Sequence, residues 1–301
     1  GGEDSDFVEV LRLVADDSDE PMTVHVNTRL LGTNVSADRV YDTDNDATFE
    51  SAMHSSGGIT SVNSNFIYGD DGRSGVSNFT VYLAAMEFIE SGSDSKYNQL
   101  TRPLQSTDYE ITAGGFNNLD SDEAVFDPDA GGEANDELGS KVQTLTSPEI
   151  GEITTHTAPE ETADDETNVT RLVNAATARE EIAVNDRLIV QVEATGIYGA
   201  MVAGPSGTDP TTYNVDWDRL EDGASTQVLY NIEETTEEQI SFAVEGATGT
   251  GNQAALEAAL NNDNNGDTYL VLDEENGQFF LVADTGSDSA FANGDAPDDG
   301  R

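Results

Sequence analysis

One acidic run has the spacing of a calcium-binding loop. In residues 263–274, oxygen-bearing side chains stand at positions one, three, five and twelve, from which an EF-hand loop takes ligands. They are Asp263, Asn265, Asp267 and Glu274. Thr268 occupies the position that needs Gly for a sharp turn, and a strand-like run follows where a helix is required. The spacing therefore predicts a looser Ca²⁺ or Mg²⁺ site, with solvated surface acid as the alternative.

A second cluster of hard oxygen ligands lies in residues 42–46, with Glu50 beyond it. Its carboxylates are Asp42, Asp44 and Asp46. Because Ca²⁺ and Mg²⁺ prefer oxygen ligands, this run is another candidate cation site. Solvated surface acid is again the alternative. No motif for an organic cofactor is present, so none is expected.

Three triplets match the Asn-x-Ser/Thr acceptor of N-glycosylation. Their acceptor residues are Asn34, Asn78 and Asn168. A chain rich in Asn, Ser and Thr also produces such triplets by chance. If the chain is displayed outside the cell, each exposed Asn becomes a candidate glycan site, and Asn168 lies in a predicted linker that an enzyme can reach.

Residues that could carry catalysis are sparse. The chain contains no Cys, which excludes disulfides, thiolate metal sites and cysteine nucleophiles. The histidines His25, His54 and His156 form no zinc-ligand pair, and no G-x-S-x-G nucleophile motif occurs. Aromatic residues that could line a sugar platform, or more simply pack in a core, are Tyr198, Tyr213, Trp217 and Tyr230. We therefore expect no catalytic residues and no enzyme.

The charge balance is the most unusual property of the composition. Sixty Asp and Glu outnumber twelve Lys and Arg, which gives a net charge of −48 in 301 residues. Such a field repels phosphate backbones and anionic lipids, so nucleic-acid and anionic-membrane partners are not expected. Hydrophobic residues still form 36% of the chain, enough for a core. Because the Debye length is about 3 Å at 1 M salt, we expect a fold suited to brine.

Most candidate elements in the first half are strands. Apolar residues alternate with polar ones, and clusters of Gly, Asp, Asn and Ser separate the runs. The candidate strands are residues 7–14, 23–31, 59–68, 78–90, 107–113, 141–146 and 150–155. Short strands with this punctuation favour a β-sandwich. Residues 114–139, rich in Gly, Asp and Asn, are expected to form a long acidic loop.

The pattern changes near residue 160, where we place a domain boundary. Residues 169–177 have helical spacing with Asn168 as a suitable N-cap, and the Ala- and Leu-rich residues 252–262 predict a second helix. Further strands are predicted at residues 187–194, 212–217, 226–233, 239–245, 268–273 and 278–283. We therefore expect a mainly β chain, with a β-sandwich over residues 1–160 and an α+β domain with two short helices over residues 161–301. No run of about 18 apolar residues predicts a membrane-spanning segment.

Five segments of the chain resemble one protein family. In the second half they are EIGEITTHTAPE (residues 149–160), AREEIAVNDRLIVQVEATGIYGAM (residues 178–201) and TYLVLDEENGQFFLVADTGSDSAFANGDAPDDG (residues 268–300). In the first half they are DFVEVLRLVADDSDEPMTVHVN (residues 6–27) and STDYEITAGG (residues 106–115). These segments resemble the extracellular domains of haloarchaeal major cell-surface glycoproteins of the S-layer type.

The resemblance implies a secreted, N-glycosylated protein built from immunoglobulin-like or related β-domains in series. It also implies cation-dependent lattice contacts and a lipid or membrane anchor at a C-terminal tail. The segments carry no leader, Thr-rich stalk or anchor helix, so we expect an excised or processed part of a protein that continues past Arg301. Of the family's functional residues, the resemblance transfers only the sequon asparagines.

Together these features predict a structural segment of a halophilic archaeal cell surface, located outside the cell. Its expected partners are further copies of itself and N-linked glycans, with cations bridging or screening the acidic faces. Two alternatives remain open. One is an adhesin or pilus-like appendage subunit that binds through exposed strand edges, and the other is an extracellular polysaccharide hydrolase.

Overall fold

The computed structural model of the chain describes residues 7, 9, 11–14, 22–33, 35–43, 48–51, 54, 83–84, 104–114, 137–179, 181–203, 215–235, 240–246, 256–260 and 267–292. The chain forms two compact units, residues 1–147 and residues 148–301. This division precedes the strand Glu149–Ala158, whereas the sequence pattern predicts a boundary after it. The strand belongs to the second unit because it pairs with Arg187–Thr195.

The described strands of the first unit pair two by two. They are β1 (Leu11–Val14), β2 (Val24–Val26), β3 (Tyr41–Thr43), β4 (Thr48–Ser51), β5 (Asp108–Gly114) and β6 (Glu137–Thr144). Antiparallel ladders join β1 with β4, β2 with β3, and β5 with β6. The strands predicted at residues 107–113 and 141–146 are thus confirmed as β5 and β6.

Three other predictions in the first unit need correction. Of the strand predicted at residues 23–31, only β2 is extended, because Leu30 and Leu31 donate backbone hydrogen bonds to the Asn27 carbonyl and turn the chain. Within the strand predicted at residues 78–90, the described Leu83 and Ala84 are helical. The loop predicted at residues 114–139 is wrong at its ends, because Gly114 belongs to β5 and residues 137–139 belong to β6, where they pair in one ladder. Residues 59–68, and residues 115–136 of that loop, lie outside the described residues.

The second unit is built on one antiparallel sheet. Its strands are β7 (Glu149–Ala158), β8 (Thr177–Ala178), β9 (Arg187–Thr195), β10 (Ala224–Ser225), β11 (Thr268–Asp273) and β12 (Gln278–Asp284). Their order across the sheet is β10-β11-β12-β9-β7-β8. This confirms the strands predicted at residues 187–194, 268–273 and 278–283. The hairpin between β11 and β12 closes through Gly277, whose φ of 65° favours glycine.

Helices cover both faces of this sheet. Those described are α1 (Glu160–Ala163), α2 (Val169–Ala175), α3 (Tyr198–Val202), α4 (Arg219–Asp222) and α5 (Gln227–Thr235). On one face Leu172 of α2 packs in a cluster with Phe280, and on the other Leu229 of α5 packs in a cluster with Phe279. Because β11 is buried on both faces, its sequence TYLVLD is almost continuously apolar and does not alternate. The chain is mainly β with short helices, as predicted.

Sequence patterns assigned two segments of the second unit to the wrong element. Residues 226–233, predicted as a strand, lie in α5, where Val228, Leu229 and Ile232 share the buried side. Of residues 252–262, predicted as a helix, the described residues 256–260 are not helical, and Glu257 and Ala258 form isolated β-bridges to Glu245 and Phe291. The Ala258 N–H also donates to the Val244 carbonyl. These tertiary hydrogen bonds occupy backbone groups that a helix would use, and they override the helix propensity of Ala and Leu.

The predicted helix at residues 169–177 is confirmed as α2, with Asn168 as its N-cap. In the described part of the chain, no helix has the length and apolar character needed to cross a membrane.

A buried histidine ties two loops of the first unit together. His54 is 1% exposed, and its Nε2 accepts a hydrogen bond of 3.0 Å from the Gly32 N–H. Its Nδ1 lies 3.1 Å from the Val35 carbonyl oxygen. Because a carbonyl can only accept, Nδ1 carries the proton, and the ring is neutral. Burial lowers the pKa of His54, although the hydrogen bond to Val35 acts in the opposite direction.

We predict that the first unit loses stability as the pH falls below about 6.5, the ordinary pKa of histidine. The unfolded imidazole takes up a proton there, whereas the folded ring, with its lowered pKa, does not, so protonation favours the unfolded state. Protonated Nε2 would also face the Gly32 N–H donor. Denaturant unfolding between pH 8 and pH 5.5, at constant high salt, measures this loss. His54→Gln should flatten the pH dependence, and an unchanged pH dependence in this variant would contradict the role assigned to His54.

Candidate functional site

A buried guanidinium gathers three carboxylates at one end of the sheet in the second unit. Arg187 has a side chain that is 3% exposed, and its Nη2 lies 2.6 Å from Asp164 Oδ1 and 3.8 Å from Glu160 Oε1. Its Nη1 lies 2.7 Å from Asp284 Oδ1. We call these four residues the acidic corner.

The strand register places the acidic corner. Arg187 begins β9, opposite Ala158 at the end of β7 and opposite Asp284 at the end of β12. Helix α1 starts directly after β7, and this brings Glu160 and Asp164 over the guanidinium. The three carboxylates therefore come from two segments, α1 with its C-cap and the end of β12, which meet only in the folded unit.

The guanidinium stays charged although it is buried. Burial alone would lower the pKa of Arg187, but its hydrogen bond to Asp164 and the charges of Asp284, Asp164 and Glu160 outweigh burial and raise the pKa. One cation faces three anions, so the acidic corner keeps an excess of negative charge. The Arg187 guanidinium occupies the position between the carboxylates that a metal ion would need. The acidic corner therefore stabilises the fold.

A tyrosine fixes the turn that leads from the acidic corner to α2. The buried hydroxyl of Tyr269 donates to the Ala163 carbonyl at 2.7 Å and accepts from the Glu166 N–H at 3.1 Å. Burial raises the pKa of Tyr269, so the hydroxyl keeps its proton. Asp165, between these two contacts, has a φ of 51°, a left-handed conformation that is uncommon for a non-glycine residue. A side chain of the sheet strand β11 therefore fixes the conformation of this turn.

The candidate glycan acceptor Asn168 follows this turn and caps α2. Its Oδ1 accepts a hydrogen bond of 3.1 Å from the Arg171 N–H, and its own backbone N–H donates to Glu166 Oε1 at 2.9 Å. The residue is exposed, and so is Thr170 of the same triplet. A glycan would attach through Nδ2, so capping through Oδ1 does not occupy the modified atom. The other two sequon residues, Asn34 and Asn78, lie outside the described residues.

In the folded chain, Asp267 and Glu274 of the calcium-like run at residues 263–274 lie at opposite ends of a strand. Asp267 precedes β11 and Glu274 follows it, so an extended strand of six residues separates them. At about 3.3 Å per residue, the two carboxylates lie roughly 20 Å apart and cannot hold one ion. Asp267 instead accepts hydrogen bonds from the hydroxyls of Ser287 and Ser289 and fixes the turn after β12. Asp263 and Asn265 lie outside the described residues.

The second candidate cation cluster is described only at Asp42. This residue lies on β3 opposite His25 of β2, with 3.8 Å between His25 Nδ1 and Asp42 Oδ2. Asp44 and Asp46 lie outside the described residues. Within the part of the chain that the structure describes, no group of three or more His, Asp or Glu side chains is placed to hold a metal ion.

The third histidine belongs to a row of polar side chains that crosses the sheet. His156 Nε2 lies 3.0 Å from Gln191 Oε1, and Gln191 Nε2 donates to Gln278 Oε1 at 2.6 Å. Gln278 Nε2 in turn donates to Asp273 Oδ2 at 2.6 Å, and Asn276 donates to both oxygens of the same carboxylate. Every member has a partner within the row, which therefore stabilises neighbouring strands.

The aromatic residues considered for a sugar platform have separate roles where they are described. The Tyr198 hydroxyl donates to the Ala194 carbonyl, Trp217 lies in the turn before α4, and Tyr230 is 41% exposed on α5. Tyr213 lies outside the described residues. Comparison with protein-family models, with curated proteins and with solved structures finds no match to the chain.

The sequence analysis did not single out Arg187. One signal was available: a chain with few basic residues places an arginine at the head of the apolar run RLIVQV, where it must be buried with the strand. A buried arginine requires carboxylate partners. Their identity was not readable, because acidic residues occur on all sides of the segment.

We predict that Arg187→Gln lowers the free energy of unfolding of the second unit by about 3 kcal/mol, because it leaves buried carboxylate without its cation. Asp284, 18% exposed, would be the most affected partner. Denaturant unfolding at constant high salt measures the loss. Adding Asp284→Asn to the variant should recover part of it, since the uncompensated charge is then removed.

Arg171→Gln is the matched control for this prediction. Arg171 is 76% exposed and lies 3.8 Å from Glu166, so its removal should change the free energy of unfolding by less than about 1 kcal/mol. Equal losses for the two arginine variants would contradict the assignment of the acidic corner as a structural centre.

Proposed function

We propose that this chain is a structural segment of the outer surface of a halophilic archaeon, of the S-layer type, which associates with copies of itself in concentrated salt and carries out no turnover. The observation that carries the proposal is the net charge of −48, with sixty acidic residues against twelve basic ones. A chain with this excess that still contains an apolar core on both faces of a sheet is built to fold in strong electrolyte.

The proposed mechanism of association is electrostatic. Exposed carboxylates cover the described surface of the second unit around β7 and α1; they include Glu149, Glu152, Glu160, Glu161, Asp164, Asp165 and Glu193. In dilute buffer these charges repel a second copy. At 1 M salt the Debye length is about 3 Å, so copies can approach until backbone and apolar contacts form. Divalent cations such as Ca²⁺ or Mg²⁺ would add bridges between carboxylates of neighbouring copies.

The proposal extends to features that the family resemblance implies. The first domain would be an immunoglobulin-like β-sandwich, and the chain would belong to a longer, secreted protein. Asn168 would carry an N-linked glycan, since it is exposed, lies at the start of a helix and keeps its Nδ2 outside the capping hydrogen bond. Exposure of both Asn168 and Thr170 supports access by a transferase.

An adhesin or appendage subunit is the second candidate, and one observation favours it. Among the described strands, only β9 pairs with the first part of β7, and an unpaired strand side of this kind can accept a strand from a partner. A surface layer repeats in two dimensions, whereas an appendage extends along one axis. Electron microscopy of the native assembly distinguishes these two candidates.

We predict that lowering the salt from several molar to about 0.1 M, where the Debye length is about 10 Å, dissociates the assembly and lowers its melting temperature. The loss should reverse when salt is restored, because screening and not covalent change controls it. Light scattering and thermal unfolding at matched protein concentration measure both effects. A chain that keeps its association state and melting temperature at low salt would contradict the proposal.

Chelation at constant high salt separates bridging from screening. If divalent cations bridge the copies, chelator should weaken assembly and lower the melting temperature while monovalent salt stays the same. Unchanged assembly under chelator would remove the bridging part of the mechanism and leave screening.

We predict that native protein carries a glycan on Asn168 and that Thr170→Ala abolishes it without loss of stability. Thr170→Ala destroys the acceptor triplet but keeps the Asn168 cap, whereas Asn168→Ala removes both and should cost about 1 kcal/mol. Mass spectrometry of peptides from the native host and unfolding of the unglycosylated variants measure the two effects. An unmodified Asn168 in native protein would contradict the glycan assignment.

A further inference from the structure

The strands β5 and β6 form a two-stranded ladder with an exposed apolar residue on each face. Ile111 of β5 is 60% exposed, and Val142 of β6 is 56% exposed. Ile111 lies opposite Lys141 and Val142 lies opposite Glu110, so the two apolar side chains project from opposite faces. A ladder of two strands is only marginally stable by itself in water. A further strand would therefore stabilise it and cover apolar surface.

The outer side of β6 presents backbone groups to such a strand. Among the described strands, β6 pairs with β5 alone. The Leu145 N–H donates to the Thr107 carbonyl, so this pair is hydrogen-bonded across the ladder. Because bonding groups alternate between the two sides of a strand, Ser140, Val142 and Thr144 direct theirs away from β5. These three residues are exposed.

This part of β6 is regular. The irregularity of the ladder lies between Ala113 and Gly114 of β5 and leaves residues 139–145 outside it. The Thr144 carbonyl accepts a long hydrogen bond of 3.4 Å from the Gln143 side chain. Both residues are exposed, so this amide can turn to solvent when a strand approaches.

Charge distinguishes the two outer sides of the ladder. β5 carries Asp108 and Glu110, whereas Lys141 balances Glu137 in the sequence of β6. By the same alternation, Glu110 directs its backbone groups away from β6, so symmetric pairing of two β5 strands would set Glu110 opposite its own copy. Like charges directly opposite each other destabilise a sheet. In a chain of net charge −48, β6 is therefore the side that a second copy can approach.

A symmetric register satisfies the outward groups of β6. With Val142 opposite Val142 of a second copy, Ser140 of each copy lies opposite Thr144 of the other. All of these pairs have outward-facing groups, so each pair can exchange two hydrogen bonds. Lys141 then lies opposite the uncharged Gln143, and no like charges face each other in residues 139–145.

The same register keeps the acids of β5 apart. In a four-stranded sheet with the two β6 strands in the centre, the Glu110 residues of the two copies are three strand spacings apart, roughly 14 Å. Pairing β6 with β5 of the second copy would bring them to two spacings, roughly 10 Å. Pairing of β6 with β6 therefore gives the weaker repulsion. It also leaves the acidic β5 strands at the outer edges, where charge opposes further addition.

We infer that β6 of one copy pairs with β6 of a second copy as antiparallel strands about a two-fold axis, with Val142 opposite Val142. The inference rests on the proposed self-association and names a contact through which it occurs. A two-fold contact closes after two copies, so a layer needs a second, different contact. Salt controls the pairing because screening reduces the repulsion between the two acidic chains.

The absence of cysteine from the chain allows a direct test. Val142→Cys is oxidised in the high salt that supports association. Opposite residues of a hydrogen-bonded antiparallel pair have Cα atoms about 5.5 Å apart, within the range that a disulfide bridges. We expect a dimer on non-reducing electrophoresis, joined through the peptide that contains position 142, and several-fold less of it at low salt.

Ile111→Cys is the matched control. Ile111 is a β-branched residue of similar exposure on the same ladder. In the inferred dimer its copies lie roughly 16 Å apart, beyond the reach of a disulfide. Ile111→Cys should therefore cross-link several-fold less than Val142→Cys.

A second pair of variants tests the contact without a disulfide. Val142→Asp places two carboxylates directly opposite each other, so it should weaken dimerisation several-fold at constant salt. Ile111→Asp adds the same charge to the ladder but away from the contact, and it should weaken dimerisation less. Sedimentation equilibrium measures both, and equal effects would contradict the inferred contact.

The remaining outcomes separate this contact from the proposed function. If the wild-type chain associates but Val142→Cys does not cross-link more than Ile111→Cys, the β6 contact is wrong while self-association stands. If a mixture of Val142→Cys and Glu110→Cys gives mainly the mixed disulfide, β6 pairs with β5 and the two-fold contact is overturned. If the wild-type chain stays monomeric at every salt concentration, the proposed function and the inference both fail. A cross-linked dimer without larger assemblies would support the contact and contradict a layer.

Discussion

The main constraint on this fold is that the chain must bury an apolar core although it carries sixty carboxylates, which are most stable in water. In the described second unit the answer is a sheet whose two buried faces are almost wholly apolar, with acids at strand ends, turns and outer helices. Among the described residues, Arg187 brings three carboxylates together around one buried cation. The guanidinium suits this role because it stays charged when buried and bonds to several oxygens at once. The acidic corner thus joins β7, β9, β12 and α1 through one side chain.

The same charge also lies on β7, where β9 is the only described strand that pairs with residues 149–154. Soluble proteins commonly place charged residues on edge strands, which prevents pairing with other chains. Glu149 and Glu152 are placed to act in this way on β7, beside the exposed Ile150 and Ile153. Their protection is electrostatic and therefore weakens as salt rises, whereas the apolar contribution to pairing does not. Under the proposed association, a strand of this composition would repel copies in dilute solution and accept them in brine.

Sequence patterns correctly predicted the elements whose conformation follows from burial of their own apolar residues. The predictions of strands β9, β11 and β12 and of the capped helix α2 were correct, since burial left a direct signal: apolar runs in the strands and helical spacing in α2. The errors occur where tertiary contacts decide. Residues 256–260 bond to residues 244–246 and 290–292 and are not helical despite Ala and Leu, and α5 contains β-branched residues that favour strands. The acidic corner was missed because its partners lie far apart along the chain.

The fate of the calcium-like run shows why acid spacing alone says little in this chain. A twelve-residue ligand spacing binds an ion only if the backbone curls around it, and residues 268–273 are extended because their side chains are buried in the sheet. The apolar residues between the acids, and not the acids themselves, therefore decided the geometry. The same reasoning gives weight to Arg187: apolar neighbours force its burial, and burial then selects the carboxylates that must accompany it. In a chain this acidic, a buried cation thus identifies one set of carboxylates whose positions the fold determines.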